Sequence, residues 1–470
     1  MIRFGTGGWR AIIGDEFTKE NIQILARAMA DKMKEEHVEN EGIVIGYDRR
    51  FLAKEAMYWI TEVLAAEGIH CQLISESCPT PLVMYYVQQK GLHYGMMVTA
   101  SHNPALYNGV KIFTHGGRDA SIDVTADIER RIAEVRKPIR IIPIEEAFET
   151  GAAEIIRPQN DYIDSILDDI NTKAIRDAYL HVALDPMYGV SETSIKTILI
   201  TARCNVDTIH GNHDTLFGRR MPAPNLAAMR ELATYVVDKE CDLGIATDGD
   251  ADRIGIIDNC GNYLSPNDVL VLLYWYLVKY RGMKGPCVRN LCTTHRLDRL
   301  AESFGESCYE VPVGFKWISS KMDETGAVIG GESSGGMAIL GRIKGKDGVY
   351  AAALLTEMIA VTGMKMTEIF KEIERECGKA FMAEHNYRFS PELKEAFQKQ
   401  ILEDRKVPEF PWTIKEISYM DGCKVLFENG GWISVRFSGT EPLLRVFAEM
   451  EEEKDAETAC EIYRNYLNLE

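Results

Sequence analysis

The sequence predicts an α/β protein: three similar α/β domains with mixed sheets, followed by a smaller C-terminal α+β domain. Three observations predict it. Apolar runs of strand length alternate with segments of helical spacing over most of the chain. That rhythm restarts after Asp161 and again near Asn267. From about Lys379 it gives way to a polar helix and short alternating strands. The expected domains are therefore 1–150, 151–258, 259–378 and 379–470.

In the first domain, 43–47 reads as a buried strand and 54–66 has helical spacing, while 72–74 and 96–99 are further strands. In the second, 181–185 is a strand entering a turn at Met187-Tyr188-Gly189, 226–239 is an amphipathic helix, and 243–246 is a strand ending at Thr247-Asp248. In the third, 267–280 reads as a helix, with strands at 287–291 and 327–329. The last domain opens with a polar helix at 392–403. Strands follow near 413–418, 424–428, 432–436 and 444–449, then a terminal helix. No clear sequence repeat accompanies the three α/β cycles.

Bulk properties narrow the function. The chain has 470 residues, 46% of them apolar and 26% charged, enough for a core of normal density. A net charge of -18 argues against a general nucleic-acid binder, which needs clustered Lys and Arg, but not against a small anionic substrate held in a local pocket. The eleven cysteines form no C-x-x-C pair and read as buried small hydrophobes in a reducing compartment. The glycine-rich N-terminus lacks an apolar core, and no run approaches the ~20 residues of a bilayer span, so a cytoplasmic protein without a membrane partner is expected.

Four loops carry chemistry. Thr99-Ala100-Ser101-His102-Asn103-Pro104 follows a strand, where α/β proteins place reactive groups, and Lys111 returns a cation toward it. Asp248, Asp250 and Asp252 alternate after another strand. An extended segment points such carboxylates one way, and their repulsion calls for a hard cation, Mg²⁺ or Ca²⁺. An EF-hand is excluded: Arg253 stands where the turn glycine belongs and Asn259 where the bidentate Glu belongs. Three protein ligands leave positions for substrate phosphate and water, and a phosphorylated Ser101 supplies a further oxygen.

The third loop, Gly330-Gly331-Glu332-Ser333-Ser334-Gly335-Gly336, allows close backbone approach and offers Glu332 and Ser334 to sugar hydroxyls, with Lys316 nearby as a cation. The fourth, Arg436-Phe437-Ser438-Gly439-Thr440-Glu441-Pro442, with Arg445 beyond it, makes an anion cradle. Neither the Gly5–Arg10 segment nor 341–347 has nucleotide-binding spacing.

In this order the four loops resemble the α-D-phosphohexomutase family over nearly the whole chain. Supporting matches are Gly46-Tyr47-Asp48-Arg49-Arg50, Pro79-Thr80-Pro81 and Asp185-Pro186. The resemblance implies a heart-shaped four-domain protein with a mobile last domain and a cleft at the junction. It implies that phosphorylated Ser101 exchanges its group with a hexose 1-phosphate or 6-phosphate through a hexose 1,6-bisphosphate. Asp248, Asp250, Asp252 and Ser101 would hold one Mg²⁺. Arg10, Lys111 and Arg253 would surround the phosphate, with His102, Lys111 and Arg253 as candidates for proton handling. Gly331, Glu332 and Ser334 would read the sugar; Arg436, Ser438, Gly439, Thr440 and Arg445 would clamp the other phosphate. A monomer or homodimer is expected.

Three positions depart from the family pattern. Gly336 stands where many members acting on mannose and glucose substrates have His, Ser333 replaces the second of two glutamates common in glucose-directed members, and Gly439 replaces Asn. The glycine ending favours a phosphoglucomutase. Phosphomannomutase and phosphoglucosamine mutase are the rivals, with a phosphatase and a non-catalytic sugar-phosphate sensor further off.

Overall fold

The computed structural model describes residues 2–5, 7–437 and 442–469. Four sheets contain eight, five, four and five strands. The first three share one four-strand core. In the first, Cys71–Ile74, Ile43–Tyr47 and Tyr94–Val98 run parallel, and Tyr107–Thr114 returns antiparallel beside the third. Asn205–Thr208, His181–Asp185, Leu243–Thr247 and Ile254–Ile257 repeat that order and sense. So do Cys308–Val311, Cys287–Asn290, Ile329–Gly331 and Met337–Ile339. Parallel neighbours require crossover helices, and helices cover both faces, so every residue of Ile43–Tyr47 and Leu243–Thr247 is buried.

This topology places the chemistry. In each domain the turn from the third parallel strand into the antiparallel fourth leaves from a carboxyl end. These turns carry Ser101, the three aspartates and Glu332. The turns after the central strands are built alike: Asp48, Asp185 and Asn290 accept the main-chain N–H two residues on, from Arg50 (2.9 Å), Met187 (2.8 Å) and Cys292 (2.9 Å).

Several elements differ from expectation. The first sheet also takes in Gly8–Ile12, antiparallel to Tyr107–Thr114, a strand the glycine-rich sequence did not announce. Ala153–Ile156 joins the first sheet just past 150, and Tyr263–Leu264 joins the second past 258. The third domain's expected strand at 327–329 lies instead at Ile329–Gly331. Its two glycines obscured the strand, and the buried Ala327 and Val328 only lead into it. Residues 226–229 form turns, so the helix expected at 226–239 covers only Arg230–Asp238.

One apolar core runs through the first three domains, joining Val83, Tyr162, Ile195, Trp275 and Leu354. The fourth domain is a five-stranded antiparallel sheet with its own core. It meets the third through a small apolar contact of Leu291 and Cys292 with Trp432 and Phe447. Beside that contact Lys424 donates to the Leu291 carbonyl (2.8 Å) and meets His295 (2.9 Å). Among the described residues no single helix is long and apolar enough to cross a membrane. All eleven cysteines are free, and nine are buried.

Candidate active site

Ser101 sits one residue beyond Thr99-Ala100 in the left-handed conformation, φ 51°. For a residue with a Cβ that conformation costs roughly 1–2 kcal/mol. The surroundings enforce it. Thr99 Oγ1 accepts from the Ser101 N–H (2.8 Å) and donates to Asp48 (2.6 Å). The buried Arg50 guanidinium donates to the carbonyls of Ser101 (2.7 Å), Asn103 (2.6 Å), Pro104 and Tyr107 (both 2.9 Å). The serine hydroxyl thereby reaches across the domain boundary and donates to Asp248 Oδ2 at 2.7 Å.

The aspartate loop is a turn, not the extended segment expected from alternation. The Ala251 N–H bonds back to the Asp248 carbonyl (3.1 Å), and Ala251 itself has φ 60°. Curling around a point brings one oxygen of each carboxylate within 4.8 Å of the others. All three are buried. Lys111 donates to Asp250 and Asp252 (both 2.6 Å), Lys346 reaches Asp252 (2.8 Å), and Thr80 donates to Asp250 (2.6 Å). Burial, with Asp250 and Asp252 alongside, pushes the Asp248 carboxyl up. Burial acts the same way on Asp252, but Lys111, Lys346 and Arg253 hold it well below the usual range. Asp250 Oδ1 and Asp252 Oδ1 stay buried without a hydrogen-bond partner, so the trio keeps acceptor capacity that suits a hard divalent cation.

A cleft of about 270 Å³ opens beside this cluster. Arg10, His102 and Arg253 form one wall; Glu332, Ser333, Ser334 and Lys346 come from the third domain, and Glu384, Arg436 and Arg445 from the fourth. Arg10 lies on the unannounced strand opposite Gly109 and donates to Asn103 (2.8 Å). Burial, reinforced by Arg253 and Arg10, pushes His102 down to about 2, leaving a neutral imidazole. Glu332 Oε1 accepts from Asn290 (3.1 Å) and from the Gly314 N–H (3.0 Å), which aims the carboxylate while leaving its second oxygen for a ligand. Arg436 and Arg445 face each other directly across an antiparallel pair. Like charges so placed repel, and an anion relieves them.

Four family models match the chain in order: phosphoglucomutase/phosphomannomutase alpha/beta/alpha domains I, II and III over residues 1–138, 160–261 and 265–377, and the C-terminal domain over 392–464. The chain belongs to the α-D-phosphohexomutases. It is 28% identical to the phosphoglucomutase/phosphomannomutase of Thermococcus kodakarensis, over 99% of this chain and 97% of that one. It is equally 28% identical to the phosphoglucosamine/phosphogalactosamine mutase of Sulfurisphaera tokodaii, over 96% of each. The crystal structure of a candidate phosphomannomutase from Thermus thermophilus superposes with a TM-score of 0.85 at 29% identity, covering 99% of both chains.

Within this phosphohexomutase, most of the expected site residues converge. Two do not. Gly331 is absent from the cleft wall: it lies in a buried strand, where a Cβ would meet Leu270 at 2.7 Å, so helix packing accounts for it. Lys316 opens instead onto a separate small pocket shared with Gly8, Lys111 and Asp119. Ser438, Gly439 and Thr440 lie outside the described residues. Lys346, Asn290 and Thr80 were missed as site residues. Lys346 sits in the 341–347 segment, considered only for phosphate-loop spacing. Gly336 explains its placement: a Cβ there would lie 2.2 Å from Lys346 Cδ, so the lysine stem occupies the space a side chain would take.

Proposed function

We propose that this phosphohexomutase interconverts hexose 1-phosphate and hexose 6-phosphate through a phosphoserine at Ser101 and a bisphosphorylated sugar. The observation that carries the reading is the Ser101–Asp248 contact beside a cleft whose fourth-domain wall bears two facing arginines. The Ser101 hydroxyl is turned toward the aspartates, so an esterified side chain would project its charge among Arg10, Lys111 and Arg253. Asp248, Asp250, Asp252 and the Ser101 oxygen would hold Mg²⁺, which neutralises charge on the transferring group when bound. Burial, Arg253 and Arg10 suppress the basicity of His102, so it would take a proton from the accepting sugar hydroxyl only once bound phosphate offsets those arginines. Glu332 and Ser334 read the sugar hydroxyls in either orientation. Arg436 and Arg445, with Ser438, Gly439 and Thr440, hold the phosphate that is not reacting, so binding energy there positions the distant reacting end.

Glucose is the sugar we propose first, because the sugar loop ends in Gly336. A glucosamine substrate has one observation in its favour: Glu384 joins Glu332 on the cleft wall, and two carboxylates suit an ammonium group. Turnover of glucose, glucosamine and mannose 1-phosphates with purified protein decides among them. A preference of about tenfold, roughly 1.4 kcal/mol, for another sugar rejects glucose. Labelled phosphate recovered on Ser101 tests the phosphoserine. Label released mainly to water makes the protein a phosphatase instead.

A further inference from the structure

Away from the cleft, the second sheet gathers another set of metal-binding side chains. His181 opens His181–Asp185, Asp207 lies in Asn205–Thr208, and Cys241 stands just ahead of Leu243–Thr247. The parallel register pairs Asp207 with Ala183, two residues along from His181, so both side chains share one face. Cys241 belongs to the apolar cluster on that face with Ala183, Leu232 and Val236, beneath Arg230–Asp238. An imidazole nitrogen, a carboxylate oxygen and a thiol sulfur lie within 4.8 Å of one another. His181 Nε2 is 2.8 Å from Asp207 Oδ2 and 3.7 Å from Cys241 Sγ.

These separations fit a tetrahedral ion. Bonds of ~2.0 Å to nitrogen and ~2.3 Å to sulfur set those two atoms roughly 3.6 Å apart, close to the separation found. The nitrogen–oxygen contact has to open by about 0.5 Å. Cys241 is buried, whereas the His181 and Asp207 side chains keep 21% and 35% exposure, so water can reach the fourth position. Asp242 accepts from the His181 N–H (2.8 Å) and steadies the strand end behind the imidazole. Imidazole, thiolate and a single carboxylate suit Zn²⁺ and its relatives, whereas the all-oxygen trio suits Mg²⁺.

We propose that His181, Asp207 and Cys241 form a second metal site of zinc type, with water as fourth ligand, that ties together the ends of three parallel strands. Binding replaces the Cys241 S–H bond with a sulfur–metal bond, the proton leaves to solvent, and no electron is transferred. The site lies beyond the opposite end of the five-residue strand Leu243–Thr247 from Asp248, and that strand alone is ~16 Å long, so its role is structural.

The test is titration of the reduced full chain with Co²⁺ in saturating Mg²⁺. The expected result is one thiolate-to-cobalt charge-transfer band that saturates at one equivalent and is displaced by Zn²⁺, with Zn²⁺ raising the melting temperature. Asp250→Asn should leave the band unchanged, Cys241→Ser should abolish it, and Asp207→Asn should weaken Co²⁺ binding at least tenfold. No band at several equivalents overturns the site. So does a band that survives Cys241→Ser, since Cys260 and Cys308 also have exposed surface. If Cys241→Ser does not fold, unchanged affinity in Asp207→Asn rejects the site on its own.

Discussion

The wall that holds Ser101 and the aspartates is built differently from the wall that bears Arg436 and Arg445. In the first, the three aspartates, Lys111 and Arg50 are buried and held by protein partners: Lys111 spans two aspartates and Arg50 wires the serine loop through four carbonyls. In the second, Arg436 has one carboxylate partner, Asp421 (2.8 Å), and faces another arginine. One apolar core runs through the first three domains, and the fourth has a separate one. The contrast fits the division of labour proposed above. Transfer chemistry needs atoms prepositioned in a low-dielectric setting, whereas a clamp for either phosphate needs unspent charge.

Ser101→Ala challenges the contrast between the walls most severely. Mutase turnover should fall about a thousandfold or more, some 4 kcal/mol in the barrier, with an unchanged circular dichroism spectrum. Near-normal turnover would remove the nucleophile from this wall. Asp250→Asn should raise the Mg²⁺ concentration for half-maximal activity by more than about tenfold. An unchanged titration would move the ion elsewhere. Arg445→Ala tests the other wall. A loss of roughly 10- to 100-fold in kcat/KM, common to all hexose phosphates tried, is expected from a clamp that ignores the sugar. A loss confined to one sugar would make Arg445 a specificity residue.

Gly336→Ala probes where the walls meet. Its Cβ would strike the Lys346 stem and draw that cation off Asp252, so activity should drop by several-fold to about tenfold while the melting temperature changes little. The smallest effect concerns the joint between the third and fourth domains. Burial, aided by Arg289, pushes the Lys424 ammonium down to about 8 from an ordinary 10.5, against the pull of Glu310. Below about 8 the native chain carries that buried charge at a cost, and the cost is relieved as pH rises from 8 to 10.5. Wild-type stability relative to Lys424→Met should therefore rise across this window, read from thermal unfolding at matched pH. A pH-independent difference would mean that Lys424 does not titrate there.

Much of the site was legible because its residues sit on loops whose composition packing alone does not explain. Three aspartates separated by single residues, or a serine directly after a buried strand, are poor choices for a core and good ones for a ligand. Lys346 was illegible for the opposite reason: nothing local marks a lysine whose partner is Asp252, and Gly336 reads as loop glycine until the lysine stem is seen beside it. Gly331 and Lys316 were expected beside the sugar, and the fold directs them elsewhere. A strand sends neighbouring side chains to opposite faces, and the first turn of a helix can point away from a cleft.

The class of architecture and the family were written in the linear chain, since periodicity and loop chemistry are local properties. The strand order and sense that the three α/β domains share emerged only on folding. Alternating burial can be met by many residues, whereas the order and sense of strands are constrained by handedness and hydrogen bonding. Folding also settled that the aspartates converge by curling rather than by extension, and that Lys111 and Lys346 reach them from other domains. Coulomb attraction acts through space, and spacing along the chain carries no record of which distant cation will satisfy a buried carboxylate.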